Sequence, residues 1–345
     1  MTRFVPWLFV ALLASVPLWM TDYYYLHVLI TTGIFIIAAM SLNLLLGYTG
    51  QLSLGHVAFF GIGAYTSALV SLGFNVHVTP DTVVSLSPKP VWFAILCAIV
   101  VSGLVGYIIG KLSFRVRGAY FVIVSISFAE VVRLIALNWV ELTQGPMALN
   151  SIPALTLGFD DYTISFLRKP QFFYLMLVMA VISYLIVARL VNSRAGRAMI
   201  ALRENESLAM SVGIDVTRYL VLATVVSAAI AGMAGALYTH YIRIVDPNIF
   251  LFIYTVTMVI MVVTGGKGTL AGPIVGGVMF GIVPEVLRGM KIVPEVQWIV
   301  YGVLMIAIVY FLPEGIVPAV RRVLASGRGA FAGSTVLTES KVEEK

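Results

Sequence analysis

Long apolar runs alternate with short polar breaks along almost the whole chain. A helix that crosses a bilayer needs roughly 20 mostly apolar residues. Runs of that kind lie at about 4–20, 25–46, 52–73, 91–111, 118–138, 171–190, 217–239, 250–265, 270–287 and 296–312. The pattern predicts an all-α, polytopic membrane protein with about ten transmembrane helices in a single domain over 1–315. A polar tail follows over 316–345, expected to be unstructured beyond Ser326. The first run could pass for a signal-peptide core. Kept as a helix, it gives an even number of spans, which the charge pattern below requires. Polar intervals at 75–90, 141–170 and 191–216 separate the runs.

One interval breaks this rhythm. Residues 47–65 read GYTGQLSLGHVAFFGIGAY, with glycines and polar side chains where apolar helix is expected. Irregular backbone at membrane depth is tolerated only where protein buries it or a wet cavity meets it. The stretch therefore predicts a short-turn element between helices two and three, facing the bundle interior or a partner chain. Gln51, Ser53 and His56 would either line a polar path or satisfy freed backbone. GYTGQLS at 47–53 is echoed by GGKGTLA at 265–271, a match short enough to arise by chance.

Charges inside the runs are few. Glu130 and Arg133 lie three apart on one face of a helix. A charge at membrane depth is costly and calls for a partner. The two can pair with each other near the outer end of helix five, or serve a path or gate. Asn43 is similar: an interhelical hydrogen bond or a contact to a passing solute. Small residues four apart, such as Gly106 and Gly110 or Ala228, Gly232 and Ala236, mark packing seams.

Composition agrees with the pattern: 60% of residues are hydrophobic and 11% charged, against about 25% charged in soluble domains. The formal net charge is +6. In a soluble chain that would suggest nucleic acid; here Lys and Arg belong in cytoplasmic loops. Alternation from an inside N-terminus places most of the 22 Lys and Arg inside, so the chain reads N-in, C-in. Catalytic signatures are missing. There is no HExxH or GxSxG, and GGKGT does not complete a phosphate-binding GxxxxGK[ST]. The histidines at 27, 56, 77 and 240 lack metal-ligand spacing, and Cys97 stands alone. These absences argue against an enzyme and against any cofactor bound by this chain. A transport role remains.

The interval at 191–216 is too rich in structure signals for a simple turn. Asn205 suits an N-cap, and Glu206 the first turn. Gly213 suits a C-cap, and Asp215 or Thr217 can cap the next membrane helix. This predicts a helix of about two turns between two spans. One reading lays the segment on lipid headgroups through Arg194, Arg197 and Arg203. The other makes it a rigid knob for a soluble partner.

Long motifs now line up. They are SLNLLLGYTGQLSLGHVAFFGIGAYTSAL (41–69), GAYFVIVSISFAEVVRL (118–134), ELTQGP (141–146) and SIP (151–153). SRAGRAMIALRENESLAMSVGIDVTRYL (193–220), AGMAGALYTHY (231–241), DPNIF (246–250), GGKGTLAGPIVGG (265–277) and YFLPEGI (310–316) complete them. The chain resembles the permeases of the branched-chain amino acid ABC importer family, of the LivM type, over nearly its whole length. The resemblance implies a bacterial inner-membrane protein and a partner set. That set comprises a homologous second permease of the LivH type, two cytoplasmic ATPase subunits that use the ATP, and a periplasmic substrate-binding protein. Membrane lipid and an amino acid substrate join them; nucleic acid does not. It also implies a coupling element like EAAxxxG, here Ser207-Leu208-Ala209 through Gly213. The second Ala and the Gly match; Ser and Leu replace the Glu and the first Ala. Arg197, Arg203, Asn205, Glu206, Leu208, Ala209 and Gly213 would then carry ATPase coupling. Asn43, Gln51, Ser53, His56, Glu130 and Arg133 would lie along the translocation path of a zwitterionic solute. The outer loop TQGPMALNSIP would meet the binding protein. Close relatives in the family are associated with urea, short amides and aromatic acids. A stand-alone ion-coupled transporter is the rival from another class; it needs intramembrane carboxylates such as Glu130 and no docking helix.

Overall fold

The computed structural model describes residues 13–17, 19, 22–79, 82–114, 119–159, 162–290 and 293–323. Most of the first expected helix and the tail beyond 323 lie outside these residues.

Helix α1 spans Tyr23–Asn43, capped by Asp22, whose side chain accepts from the Tyr24 N–H at 2.8 Å. It runs on as a π-helical turn, Leu44–Thr49, and stops at Gly50, where φ is 75°. Only glycine adopts that conformation without strain. Helix α2 spans Val57–Leu72, so its start lies five residues beyond the expected 52. Then come the hairpin β1–β2 (Phe74–Thr79, Thr82–Leu86), α3 (Val91–Ser113), α4 (Ala119–Asn138) and the single turn α5 (Val140–Thr143). A second antiparallel hairpin, β3–β4 (Thr156–Phe159, Tyr162–Ser165), precedes α6 (Lys169–Val191). Helices α7 (Arg194–Glu204) and α8 (Glu206–Ser211) fill the charged interval, and α9 spans Val216–Ile242. Helices α10 (Phe252–Gly265), α11 (Gly272–Gly289) and α12 (Pro294–Phe311) complete the order, and 316–323 is helical again. The fold is helical, with two hairpins that the all-α expectation did not include.

Five of these helices are long and apolar enough to cross a membrane: Tyr23–Thr49, Val91–Ser113, Tyr120–Asn138, Lys169–Val191 and Val216–Ile242. The 16-residue α2 and 14-residue α10 reach only about 24 and 21 Å at 1.5 Å per residue. That is short of the ~30 Å hydrocarbon core. The run expected at 52–73 opens in the glycine-bearing loop 50–56, and the run at 250–265 is helical from Phe252 and ends at the loop 266–271.

Helix α9 is the central post. Its small residues let neighbours approach to backbone contact, as the four-residue spacing predicts. A methyl group at Gly63 would sit 2.1 Å from the Gly232 carbonyl oxygen, and one at Gly106 would sit 2.5 Å from Ala228 Cβ. Lipid offers no hydrophobic drive for helix association, so such close van der Waals contact supplies it. Contacts along α9 also set depth. His27 of α1 meets Tyr241 at 2.7 Å, and Ser227 donates to the Ser41 carbonyl, so α1 and α9 are antiparallel. Ser67 of α2 meets His240 at 2.7 Å, and Gly63 meets Gly232, so α2 runs parallel to α9. The first turn of α2 therefore lies about halfway along α9.

Candidate functional site

That geometry places the non-helical residues 51–56 within the bundle, in the half nearer the start of α9, with Gly50 exposed at their edge. Its free backbone groups find side chains from distant helices. The Leu54 N–H donates to Ser125 Oγ of α4 at 3.1 Å, and the Val57 N–H donates to Thr255 Oγ1 of α10 at 3.1 Å. Gly55 abuts the Ser125 carbonyl, where no Cβ would fit. An unpaired amide in hydrocarbon costs several kcal/mol. These bonds let the chain break here at tolerable cost.

The second glycine loop, 266–271 between α10 and α11, packs against the first. Asn43 is 1% exposed and joins them. Its Nδ2 donates to the Thr269 carbonyl at 2.9 Å, and its Oδ1 accepts the Gly268 N–H at 2.9 Å. Gly47 sits against both Asn43 Oδ1 and the Gly268 backbone. The two stretches with the echoed GxxGxL pattern therefore meet in space.

Arg203, at the end of α7, closes the junction from the other side. Its Nη1 donates to the Gly47 carbonyl at 2.8 Å, and its Nε donates to Glu204 Oε1 at 3.1 Å. The same guanidinium lies beside Gly268, and the Arg203 stem packs on Gly50. Thus one side chain of the charged interval touches both glycine loops.

The interval itself is more ordered than expected. Two helices occupy it where sequence predicts one. Ser193 caps α7, accepting from the Ala195 and Gly196 N–H groups. Asn205 caps α8 through the Leu208 N–H at 2.9 Å, and Asp215 caps α9 through the Arg218 N–H at 3.0 Å. Gly213 adopts φ 86°. Met199 is fully buried against Leu44, Leu45, Tyr48 and Ala223, so α7 is docked onto the bundle. Ala209 anchors α8 among Phe114, Leu202, Val216 and Leu220. Leu208, Met210 and Val212 point outward, 64%, 48% and 70% exposed. Arg197 is also exposed, and Glu206 lies in the first turn of α8.

Other expected path residues are placed differently. His56 is fully buried and meets Ser41 Oγ at 2.8 Å through Nε2. Ser53 is buried beside a small cavity shared with Ser125 and Thr224. Gln51 is half-buried. Glu130 and Arg133 do pair, with Arg133 Nε to Glu130 Oε2 at 2.9 Å, but not near a helix end. Phe128 meets the ring of Phe59 at 5.8 Å, and Ala129 clusters with Val57 and Ala58, so the pair stands near mid-depth.

At the opposite end of α9, the TQGPMALNSIP loop is pinned down. Leu149 pairs with Val245, Arg243 Nε donates to the Ile152 carbonyl at 3.0 Å, and His240 Nδ1 lies 2.9 Å from the Pro153 carbonyl. Gln144, Ala148, Ser151 and Arg243 all have positive φ, the set of such non-glycine residues among the described ones. Each such position costs about 1–3 kcal/mol and persists only where surroundings enforce it. A cleft of about 700 Å³ lies beside the loop, lined in part by Asn75, Glu141, Gln144 and Asn150. Among the described residues, no three His, Cys, Asp or Glu side chains converge on a metal-sized site.

The family model for the branched-chain amino acid transport system permease component matches residues 24–309. The chain is 32% identical to the high-affinity branched-chain amino acid transport system permease protein LivM of Salmonella typhimurium, over 88% of this chain and 72% of that one. It is 26% identical to the probable branched-chain amino acid transport permease protein LivM of Methanocaldococcus jannaschii, over 84% of this chain and 92% of that one. It is also 26% identical to the permease protein LivH of Salmonella typhimurium, over 83% of this chain and 92% of that one. No solved structure gives a significant match. The chain belongs to the branched-chain amino acid transport permease family.

Proposed function

We propose that this chain is the LivM-type membrane subunit of an ATP-driven importer in a bacterial inner membrane. It forms half of a pore with a homologous LivH-type permease and carries branched-chain or related hydrophobic amino acids. Two cytoplasmic ATPase subunits use the ATP, and a periplasmic binding protein delivers the solute to the strained loop around Gln144–Ser151. The chain itself binds no cofactor. Its ten apolar segments, α2 and α10 crossing together with the glycine loops beside them, run N-in and C-in and place α7 and α8 in the cytoplasm, within the permease domain over 1–315.

The observation that carries the reading is the connection from α8 to the membrane interior. Leu208, Met210 and Val212 offer an apolar knob. Ala209 anchors that knob in the bundle, and Arg203, three residues before the start of α8, reaches the Gly47 carbonyl. A push on the knob therefore has a short route, through Arg203, to the junction of the two glycine loops. Loops with few internal hydrogen bonds are the parts of a membrane bundle that can adopt two arrangements. Among the expected path residues, Glu130 and Arg133 reach the surface, with Gln51 at the rim. Asn43, Ser53 and His56 are buried and would act through the packing of the bundle.

Uptake into proteoliposomes holding the purified complex tests this. Labelled leucine should enter only with ATP on the ATPase side and binding protein on the other. Gly213→Pro forces φ near −65° where 86° is needed. It should abolish uptake while all subunits still co-purify. Ion-driven uptake by this chain alone, indifferent to ATP, would overturn the importer reading and favour a secondary transporter.

A further inference from the structure

Most exposed faces of the long helices are what a lipid-facing surface should be. Helix α3 exposes Leu96, Val100, Leu104 and Ile108, and α6 exposes Val178, Ile182, Leu185 and Ile186. Their charges, Lys111 on α3, Lys169 and Arg189 on α6, and Arg218 on α9, sit in first or last turns, within reach of headgroups. Helix α4 breaks this rule. Its buried stripe is Phe121, Ser125, Ala129 and Ala136. Its opposite stripe carries Tyr120, Ile123, Ser127, Glu130, Val131 and Leu134. Glu130 lies eleven residues after Ala119 and eight before Asn138, roughly 12 Å or more from either helix end at 1.5 Å per residue. The Glu130 and Arg133 side chains are 51% and 23% exposed.

An ion pair half-open at that depth does not belong against lipid tails; intramembrane charges face protein or a wet cavity. Snorkelling does not rescue it: a glutamate side chain cannot reach a headgroup over that distance, and Arg133, five residues before Asn138, turns back onto Glu130 rather than toward the helix end. Something of this system covers the face. The chain is similar to two kinds of permease in one transport system, LivM and LivH. Two homologous subunits that associate about a two-fold axis bring equivalent faces together. With the axis along the membrane normal, equivalent helices meet at equal depth.

We propose that the Glu130 face of α4 packs against the homologous second permease, and that the ion pair lies in the wet seam between them. This deepens the reading above and rests on its two-permease pore. The seam explains why the pair is salt-bridged yet open: both charges face the route, where a zwitterionic amino acid presents one charge of each sign. The apolar faces of α3 and α6 stay in lipid.

Photo-crosslinking in membranes that hold the whole complex decides it. A benzoylphenylalanine at Ser127 or Leu134 should form an adduct with the second permease. The same group at Val100 or Leu104 should not. Adducts from α3 but not α4 would overturn the proposal, as would no protein adduct from either α4 position in a complex that still takes up leucine. A second measurement uses the charges. Glu130→Gln or Arg133→Gln alone should lower recovery of the second permease or leucine uptake at least several-fold. The swap Glu130→Arg with Arg133→Glu should restore much of it. Wild-type behaviour of both single variants would overturn the seam. If no homologous permease co-purifies and ATP drives no uptake, the importer reading itself fails.

Discussion

Asn43 uses both ends of its amide on a single loop, bonding the Thr269 carbonyl and the Gly268 N–H. Neither bond is visible in sequence, because the partners lie 226 and 225 residues away. What sequence does show is that an amide inside an apolar run needs some partner. Asn43→Leu should leave both loop groups unpaired, at about 1–3 kcal/mol each. The thermal midpoint of the purified complex in detergent should fall, and Asn43→Asp, which keeps the acceptor, should fall less. An unchanged midpoint in Asn43→Leu would show that the loop does not depend on this residue. His56 teaches the converse. A lone histidine beside glycines invites a path role, yet it is buried and bonded to Ser41. Glu130 and Arg133 pair as their spacing predicts, but the near-end position expected for them did not hold; depth depends on packing against α2, which local pattern does not encode.

Helix ends written in local chemistry were the easiest elements to read. Asn205, Gly213 and Asp215 act as their residue types predict, because a cap involves neighbours two or three residues away. Asn205→Ala should destabilise α8 by about 0.5–2 kcal/mol. Amide exchange over 206–211 should then quicken roughly 2- to 30-fold at 1.4 kcal/mol per tenfold, with α9 unaffected. Equal exchange in both proteins would remove the cap from the account. Helix α7 was missed although its signal was present. Ala195, Ala198, Met199 and Leu202 recur at i, i+3, i+4 and i+7, an amphipathic period. Arg194, Arg197 and Arg203 give the same segment a charged character that masks this period. The start of α2 lies beyond its expected place for another reason: hydropathy does not distinguish a buried glycine loop from the helix beside it. The hairpins β1–β2 and β3–β4 lay in polar intervals that pattern leaves open.

For the whole molecule, the apolar runs from residue 25 onward mark where helices lie among the described residues, and the direction proposed for them across the membrane rests on charge alone. A Leu208→Cys and an Asn150→Cys variant, each with Cys97→Ser, should react with an impermeant maleimide from opposite sides. Leu208 should be reached from the cytoplasm and Asn150 from outside; labelling of both from one side would reverse or dismantle the topology. The interior was less legible, since it depends on which distant helices meet. That same distance has a consequence for how the protein is made. The 50–56 break becomes tolerable only when Ser125 caps Leu54, 71 residues downstream, and Thr255 caps Val57, 198 residues downstream. At about 5–20 residues per second, the second acceptor leaves the ribosome roughly 10–40 s after the first turn of α2. Until then α2 is a short helix with an unsatisfied start, unsuited to cross the bilayer by itself. Its start is therefore fully capped only after α10 has been synthesised.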